Sequence, residues 1–284
     1  MFTLVTVPTT PPDPDLRSRA PQSRATNPAI LTFFALAFGW TWMLWGITTL
    51  IKPHAAGLSQ AVFIVAGFGP SIAAFLVVLL FAGTGGLREW SRRCLAWRLR
   101  PIWFGAAFFA APLAMLAALG IHRVLGGVVA GPTTARPTGL VILQFVLVLC
   151  IGGPLGEEFG WRGYVLPALT ARLGWRRSSL IVGAMWGLWH VPLFYIEGTG
   201  QTQMPMALFL ASTVALSIVF ARLSIGAAFS VLPALLLHWS INAWSLIIPI
   251  VPNGGSVRPY ALAMGVLFAL SAIVFLKPGP KLRT

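Results

Sequence analysis

Apolar residues fill most of this chain in long stretches, which short polar or glycine- and proline-rich segments separate. A helix needs about 20 mainly apolar residues to cross the hydrocarbon core of a bilayer. Windows of about 18 or more such residues predict eight membrane-spanning helices. These cover residues 28–51, 61–82, 101–120, 138–156, 178–196, 204–221, 225–250 and 259–276. The seventh is the longest, and a helix of that length fits a bilayer by tilting.

Composition supports the same interpretation. Apolar residues make up 57% of the chain, charged residues make up 9%, and the mean hydropathy is +0.83. The interior of a globular protein of 284 residues cannot bury so much apolar surface, so most of it must face lipid or other helices. The predicted fold is therefore all-α, a polytopic membrane helix bundle with about eight transmembrane helices.

The chain is expected to form one membrane domain with two tails. Residues 1–27 contain proline, aspartate, serine and arginine with little apolar periodicity, which predicts a disordered cytoplasmic tail. The apolar run that follows is too long for the core of a signal peptide, so the first span is expected to be retained. The transmembrane domain then covers residues 28–277, and residues 278–284 form a second cytoplasmic tail.

The net charge of +14 is explained by membrane topology. If both termini lie in the cytoplasm, sixteen of the twenty Lys and Arg residues fall in inner segments and four in outer ones. This is the positive-inside bias of multi-pass proteins, so we expect a protein of the cytoplasmic membrane with both termini inside. Basic loops beside membrane spans also contact anionic lipid, and no nucleic-acid partner is needed to explain them.

Two of the six acidic residues, Glu157 and Glu158, are adjacent in an otherwise apolar stretch. Consecutive helical residues point about 100° apart, so the two carboxylates address different surroundings. Glu158 and Arg162 are four residues apart and share a helix face, which suits a carboxylate–guanidinium pair. This predicts that Glu158 and Arg162 support the site structurally and that Glu157 is free for chemistry.

Ionisable and amide side chains recur in two later spans. His190 and His238 each lie about halfway along their predicted helices, and Asn242 lies one turn beyond His238 on the same face. Such groups inside a membrane mark functional sites. Linear counting places Glu157 nearer the cytoplasmic edge than the histidines, and a bend at residues 152–154, Gly-Gly-Pro, would bring it closer.

These residue types are sufficient for amide hydrolysis. A carboxylate and an imidazole, here Glu157 and His190, can deprotonate a water and then protonate the leaving amine. A second imidazole and a carboxamide, His238 and Asn242, can donate hydrogen bonds to an oxyanion. Zn²⁺ bound by Glu157, His190 and His238, with water as fourth ligand, reaches the same reaction and stays open as the cofactor alternative.

Other intramembrane protease chemistries lack their residues. The chain's aspartates are Asp13 and Asp15, both in the leading tail, so no pair is available for an aspartyl mechanism. Neither a His-Glu-x-x-His zinc motif nor a Gly-x-Ser-Gly motif occurs.

The order of the remaining motifs resembles a known family. Glu157-Glu158-x-x-x-Arg162, Trp186-x-x-x-His190 and His238-x-x-x-Asn242 follow one another on successive spans, as in the CPBP intramembrane glutamic or metallo proteases. That family includes type II CAAX prenyl endopeptidases and bacterial Abi proteins linked to bacteriocin processing or self-immunity. The resemblance covers about residues 141–249.

By this resemblance the first glutamate of the pair and His190 would activate water, and His238 and Asn242 would form the oxyanion hole. Glu158 and Arg162 would brace them. The implied partner is a peptide or protein substrate at the membrane. The sequence also leaves two other classes open: a proton- or metal-coupled transporter lined by the same groups, and a non-catalytic immunity or scaffold protein.

Overall fold

The computed structural model describes residues 26–97, 101–129, 137–252 and 255–278, and the regular structure in these ranges is entirely helical. Its α-helices are α1 (Asn27–Ile51), α2 (Ala56–Ala66), α3 (Gly69–Cys94), α4 (Pro101–Val124), α5 (Thr138–Ile151), α6 (Pro154–Gly160), α7 (Leu166–Trp189), α8 (Met206–Gly226), α9 (Leu232–Trp244) and α10 (Arg258–Leu276). A π-helix, Trp161–Val165, joins α6 to α7, and short 3₁₀ turns lie between α7 and α8. The predicted all-α fold is confirmed.

Proline in the first turn marks the start of seven of these helices. The residues are Pro28, Pro70, Pro101, Pro154, Pro167, Pro233 and Pro259. Proline suits this position because its φ is already helical and the first turn has no partner for its missing N–H. In α1 the Thr26 hydroxyl also accepts a hydrogen bond from the Ala29 amide at 3.4 Å.

Within the described residues, six segments are long and apolar enough to cross a membrane. They are Asn27–Ile51, Gly69–Cys94, Pro101–Val124, Thr138–Trp189, Met206–Gly226 and Arg258–Leu276. Five of them, all except Met206–Gly226, expose large apolar side chains, and α5, with no buried residue, is covered by leucine, isoleucine and valine side chains. The protein is therefore a multi-pass membrane protein, as the hydropathy pattern predicts.

The predicted second span, 61–82, is wrong at its start. The chain leaves the helix at Gly67 and Phe68, so α2 is a separate helix of 11 residues that packs against α1. The crossing helix is α3, which begins at Gly69 and bends at Gly83. Hydropathy does not detect this break because the residues on both sides of it are apolar.

The predicted seventh span, 225–250, is also wrong. Ala228 and Phe229 adopt positive φ angles of 52° and 61°, which end α8 and separate it from α9. With 13 residues, α9 is about 20 Å long, shorter than the roughly 30 Å hydrocarbon core. It is a buried helix that contacts α4, α5, α6 and α8.

The predicted fourth and fifth spans, 138–156 and 178–196, need new boundaries. Helix α5 ends at Ile151, and Gly153, with φ of 111°, turns the chain before α6. Helix α7 bends at Gly174 and ends at Trp189, where a 3₁₀ turn follows. The predicted tails, 1–27 and 278–284, lie almost wholly outside the described residues.

Glycines spaced four apart allow two pairs of helices to approach closely. A Cβ added to Gly156 would lie 2.5 Å from the carbonyl oxygen of Gly67, and one added to Gly160 would lie 2.4 Å from the carbonyl oxygen of Pro70. Helix α6 therefore packs directly on α3. Gly183 and Gly187 play the same part between α7 and α8. Small residues at this spacing are a common feature of membrane helix contacts, because they let backbones meet.

Replacing Gly183 with alanine is expected to lower the thermal stability of the purified protein. The new methyl group would lie 2.6 Å from Val214 Cα, so α7 and α8 must separate, at a cost of about 1–3 kcal/mol. Gly120→Ala is the matched control, because no atom lies within 4 Å of its added Cβ and alanine is the better helix former. Equal melting temperatures for the two variants would contradict this packing.

Candidate active site

Two breaks in helical structure and the short helix α9 shape the site. The turn at Gly153 directs α6 into the bundle, and Glu157 and Glu158 are buried on that short helix. His190 lies directly after the last residue of α7, and α9 carries His238 and Asn242. These elements meet: Glu157, His190, His238 and Asn242 all line one cavity.

Glu158 and Arg162 lie behind the cavity wall. The Arg162 Nη1 atom donates to Glu158 Oε1 at 2.9 Å, and both side chains are fully buried. The predicted contact between them is thus confirmed. The guanidinium carbon also lies 4.3 Å and 4.1 Å from the ring centres of Trp186 and Phe220, so two aromatic faces enclose the cation.

Glu158 also binds His238, a contact that helical spacing did not predict. The His238 Nδ1 atom lies 2.7 Å from Glu158 Oε1, so its N–H donates to the carboxylate. This fixes the ring and leaves Nε2 as the free nitrogen. Because the two residues are 80 positions apart, sequence spacing carries no signal for the pair.

The free groups of three residues converge in front of Gly153. An added Cβ on this glycine would lie 2.8 Å from Glu157 Oε1, 3.4 Å from His238 Nε2 and 3.5 Å from Asn242 Nδ2. Gly153 also needs its positive φ, which side chains disfavour. A glycine here therefore both turns the chain and keeps open the space between the carboxylate, the imidazole and the amide.

Trp186 connects Glu157 to His190. Its indole Nε1–H donates to Glu157 Oε2 at 2.6 Å, and its backbone carbonyl accepts a hydrogen bond from His190 Nδ1 at 2.8 Å. In a neutral His190 this leaves Nε2 as an acceptor. Because Trp186 lies one turn before His190, its ring also lies beside the imidazole, with the two ring centres 5.7 Å apart.

The Asn242 side chain is hydrogen-bonded to the backbone of the turn that directs α6 inward. Its Nδ2 atom donates to the Gly152 carbonyl oxygen at 2.9 Å. A carboxamide nitrogen carries two hydrogens, so one remains for another acceptor.

The cavity has a volume of about 1270 Å³. Its lining includes polar residues such as Lys52, Gln60 and Gln201 and apolar residues of α10 such as Met264 and Leu267.

The side chains do not form a metal site in the described arrangement. Among the described residues, no group of three or more His, Cys, Asp or Glu side chains lies close enough to hold an ion. The predicted Zn²⁺ alternative, with Glu157, His190 and His238 as ligands, does not fit this geometry.

Comparison with known proteins matches the part of the chain that carries this site. Residues 138–244 match the family model described as type II CAAX prenyl endopeptidase Rce1-like, and all six predicted site residues lie in that segment. CAAX prenyl protease 2 of Methanococcus maripaludis is 26% identical over 137 residues, which are 46% of this chain and 49% of the relative. The match thus spans about half the length of that relative. This segment is therefore similar to the type II CAAX prenyl endopeptidase Rce1-like family and to a CAAX prenyl protease.

Proposed function

We propose that this chain is an intramembrane endopeptidase that hydrolyses peptide bonds with a water activated by Glu157 and His190. The observation that carries the proposal is the convergence of Glu157 Oε1, His238 Nε2 and Asn242 Nδ2 in front of Gly153. The carboxylate oxygen of Glu157 can accept a proton from a hydrolytic water. The two nitrogen groups, from His238 and Asn242, can bind a developing oxyanion in the same small open space.

In the first step, a water bound between Glu157 Oε1 and His190 Nε2 attacks the carbonyl carbon of the substrate peptide. One water proton passes to this carboxylate–imidazole pair, and a C–O bond forms. The carbonyl oxygen becomes an oxyanion, which the side chains of His238 and Asn242 receive. In the second step the C–N bond breaks, and the stored proton goes to the leaving nitrogen, giving a carboxylic acid and an amine.

Glu158 supports the role of His238 as a donor. Its carboxylate accepts the Nδ1 proton, so an imidazolium form presents Nε2–H to the oxyanion.

The proposed substrate is a peptide or protein segment that reaches the cavity at the membrane. The relative is named as a CAAX prenyl protease. We extend only the peptide substrate to this chain. Cleavage of prenylated and unprenylated peptides, compared side by side, decides whether the substrate is prenylated. From the distribution of basic residues, we further propose the cytoplasmic membrane as location, with both termini in the cytoplasm.

The proposal is tested with His190→Ala in a peptide-cleavage assay on purified protein in detergent. Loss of the imidazole is expected to lower kcat by at least about 10²-fold, because general acid–base catalysis contributes about 10²- to 10⁴-fold. His54→Ala is the matched control, since His54 is exposed after α1. Equal cleavage by both variants would contradict the proposed role. A transporter or scaffold would show no cleavage that depends on His190.

A further inference from the structure

We propose that Trp186 is a positioning residue whose indole N–H holds one oxygen of the Glu157 carboxylate and so turns the other toward the reacting water. The inference rests on the proposed endopeptidase function. It differs from the roles given to the motif residues above, because Trp186 acts through Glu157 and not on the substrate.

The hydrogen bond itself is the first argument. Trp186 Nε1 and Glu157 Oε2 are 2.6 Å apart, and both residues are buried. Hydrogen bonds to a charged partner are stronger than neutral ones. The indole has a single N–H, and Oε2 accepts it. The other carboxylate oxygen, Oε1, then lies at the space in front of Gly153.

The end of α7 supplies the second argument. The His190 backbone N–H donates to the Gly187 carbonyl at 3.0 Å, one residue later than the regular α-helical partner. The Trp186 carbonyl is therefore free to accept the His190 side chain, as carbonyls in a final helical turn often do with side chains. Trp186 thus orients one member of the water-activating pair with its side chain and the other with its backbone.

These two contacts can be separated by substitution. Trp186→Phe removes the indole N–H, whereas the backbone carbonyl that holds His190 stays. Phenylalanine also keeps an aromatic ring on the side of Arg162 where the Trp186 ring now lies 4.3 Å from the guanidinium carbon. Loss of the donor can therefore be measured with the His190 contact and the aromatic packing largely kept.

Trp161→Phe is the matched control. Trp161 is also fully buried, its indole N–H has no hydrogen-bond partner among the described residues, and it does not line the cavity. Both substitutions remove an indole from the interior, but only the one at position 186 removes a donor from Glu157.

We expect Trp186→Phe to lower kcat by about 10- to 100-fold with KM within about twofold of wild type, on a peptide that the wild type cleaves. Trp161→Phe is expected to keep kcat within about threefold. If kcat changes equally in both variants, or if KM alone rises in Trp186→Phe, Trp186 is a packing residue and the inference is wrong.

Two further measurements keep the outcome clear. If Trp186→Phe fails to fold, Trp186 replaced by β-(3-benzothienyl)alanine keeps the bicyclic ring and exchanges N–H for sulfur, and the same loss of kcat is expected. The activity of Glu157→Gln on the same peptide distinguishes failure of the proposed endopeptidase function from failure of the inference about Trp186. Full activity in that variant overturns the proposed function, whereas its inactivity together with full activity of the position 186 variants overturns this inference alone.

Discussion

Glu157→Gln is expected to lower kcat for peptide cleavage by about 10³- to 10⁴-fold, near the upper end of general acid–base effects. Glutamine has almost the same shape, and its carbonyl can still accept the Trp186 indole N–H. The group in front of Gly153 then becomes an amide that donates hydrogen bonds and cannot take a proton from water. The variant is expected to fold, because it also removes a charge from a buried position.

The matched control for this variant is Glu89→Gln. Glu89 is exposed and pairs with Arg92 three residues later, far along the chain from the site. Its substitution is expected to leave kcat and KM unchanged in the same peptide assay. If Glu157→Gln kept more than about a tenth of wild-type kcat, the carboxylate would not be the base.

Arg162→Ala is expected to have the largest effect on stability, with a loss of about 3–5 kcal/mol in the free energy of unfolding. The substitution removes the cation that pairs with the buried Glu158 carboxylate. Glu158 would keep only His238 as an ionic partner, and a hole would open between the rings of Trp186 and Phe220. Activity is expected to fall with stability, since Glu158 orients His238.

Thermal unfolding in detergent measures this effect, and Arg92→Ala provides the control. Arg92 also pairs with a glutamate on the same helix, but that pair is exposed and should contribute about 0–1 kcal/mol. Normal stability of Arg162→Ala together with lost activity would move Arg162 from support of the site into the chemistry.

Much of the site was predictable because its information is local. Glu158 and Arg162 are four residues apart, and this spacing was enough to predict their contact. The intramembrane histidines and Asn242 stood out because polar groups in apolar spans are costly. The order of these motifs carried the resemblance to the CPBP proteases, and the family-model match over residues 138–244 agrees with it.

The rest depends on contacts between distant parts of the chain. Hydropathy could not locate the ends of α9, because the positive φ angles at Ala228 and Phe229 interrupt an apolar run without a polar signal. The bond between Glu158 and His238 depends on how α6 and α9 are offset. Likewise, the indole direction of Trp186 depends on where α7 ends, which residue type alone does not reveal.

The central claim, that Glu157 and His190 activate a water for peptide hydrolysis, is tested most directly by cleavage in H₂¹⁸O followed by mass spectrometry of the products. With wild type we expect a new carboxyl terminus that carries ¹⁸O and a new free amine. Equal amounts of Glu157→Gln and His190→Ala should give almost none of either product. The same labelled products at the wild-type rate from both variants would contradict the claim.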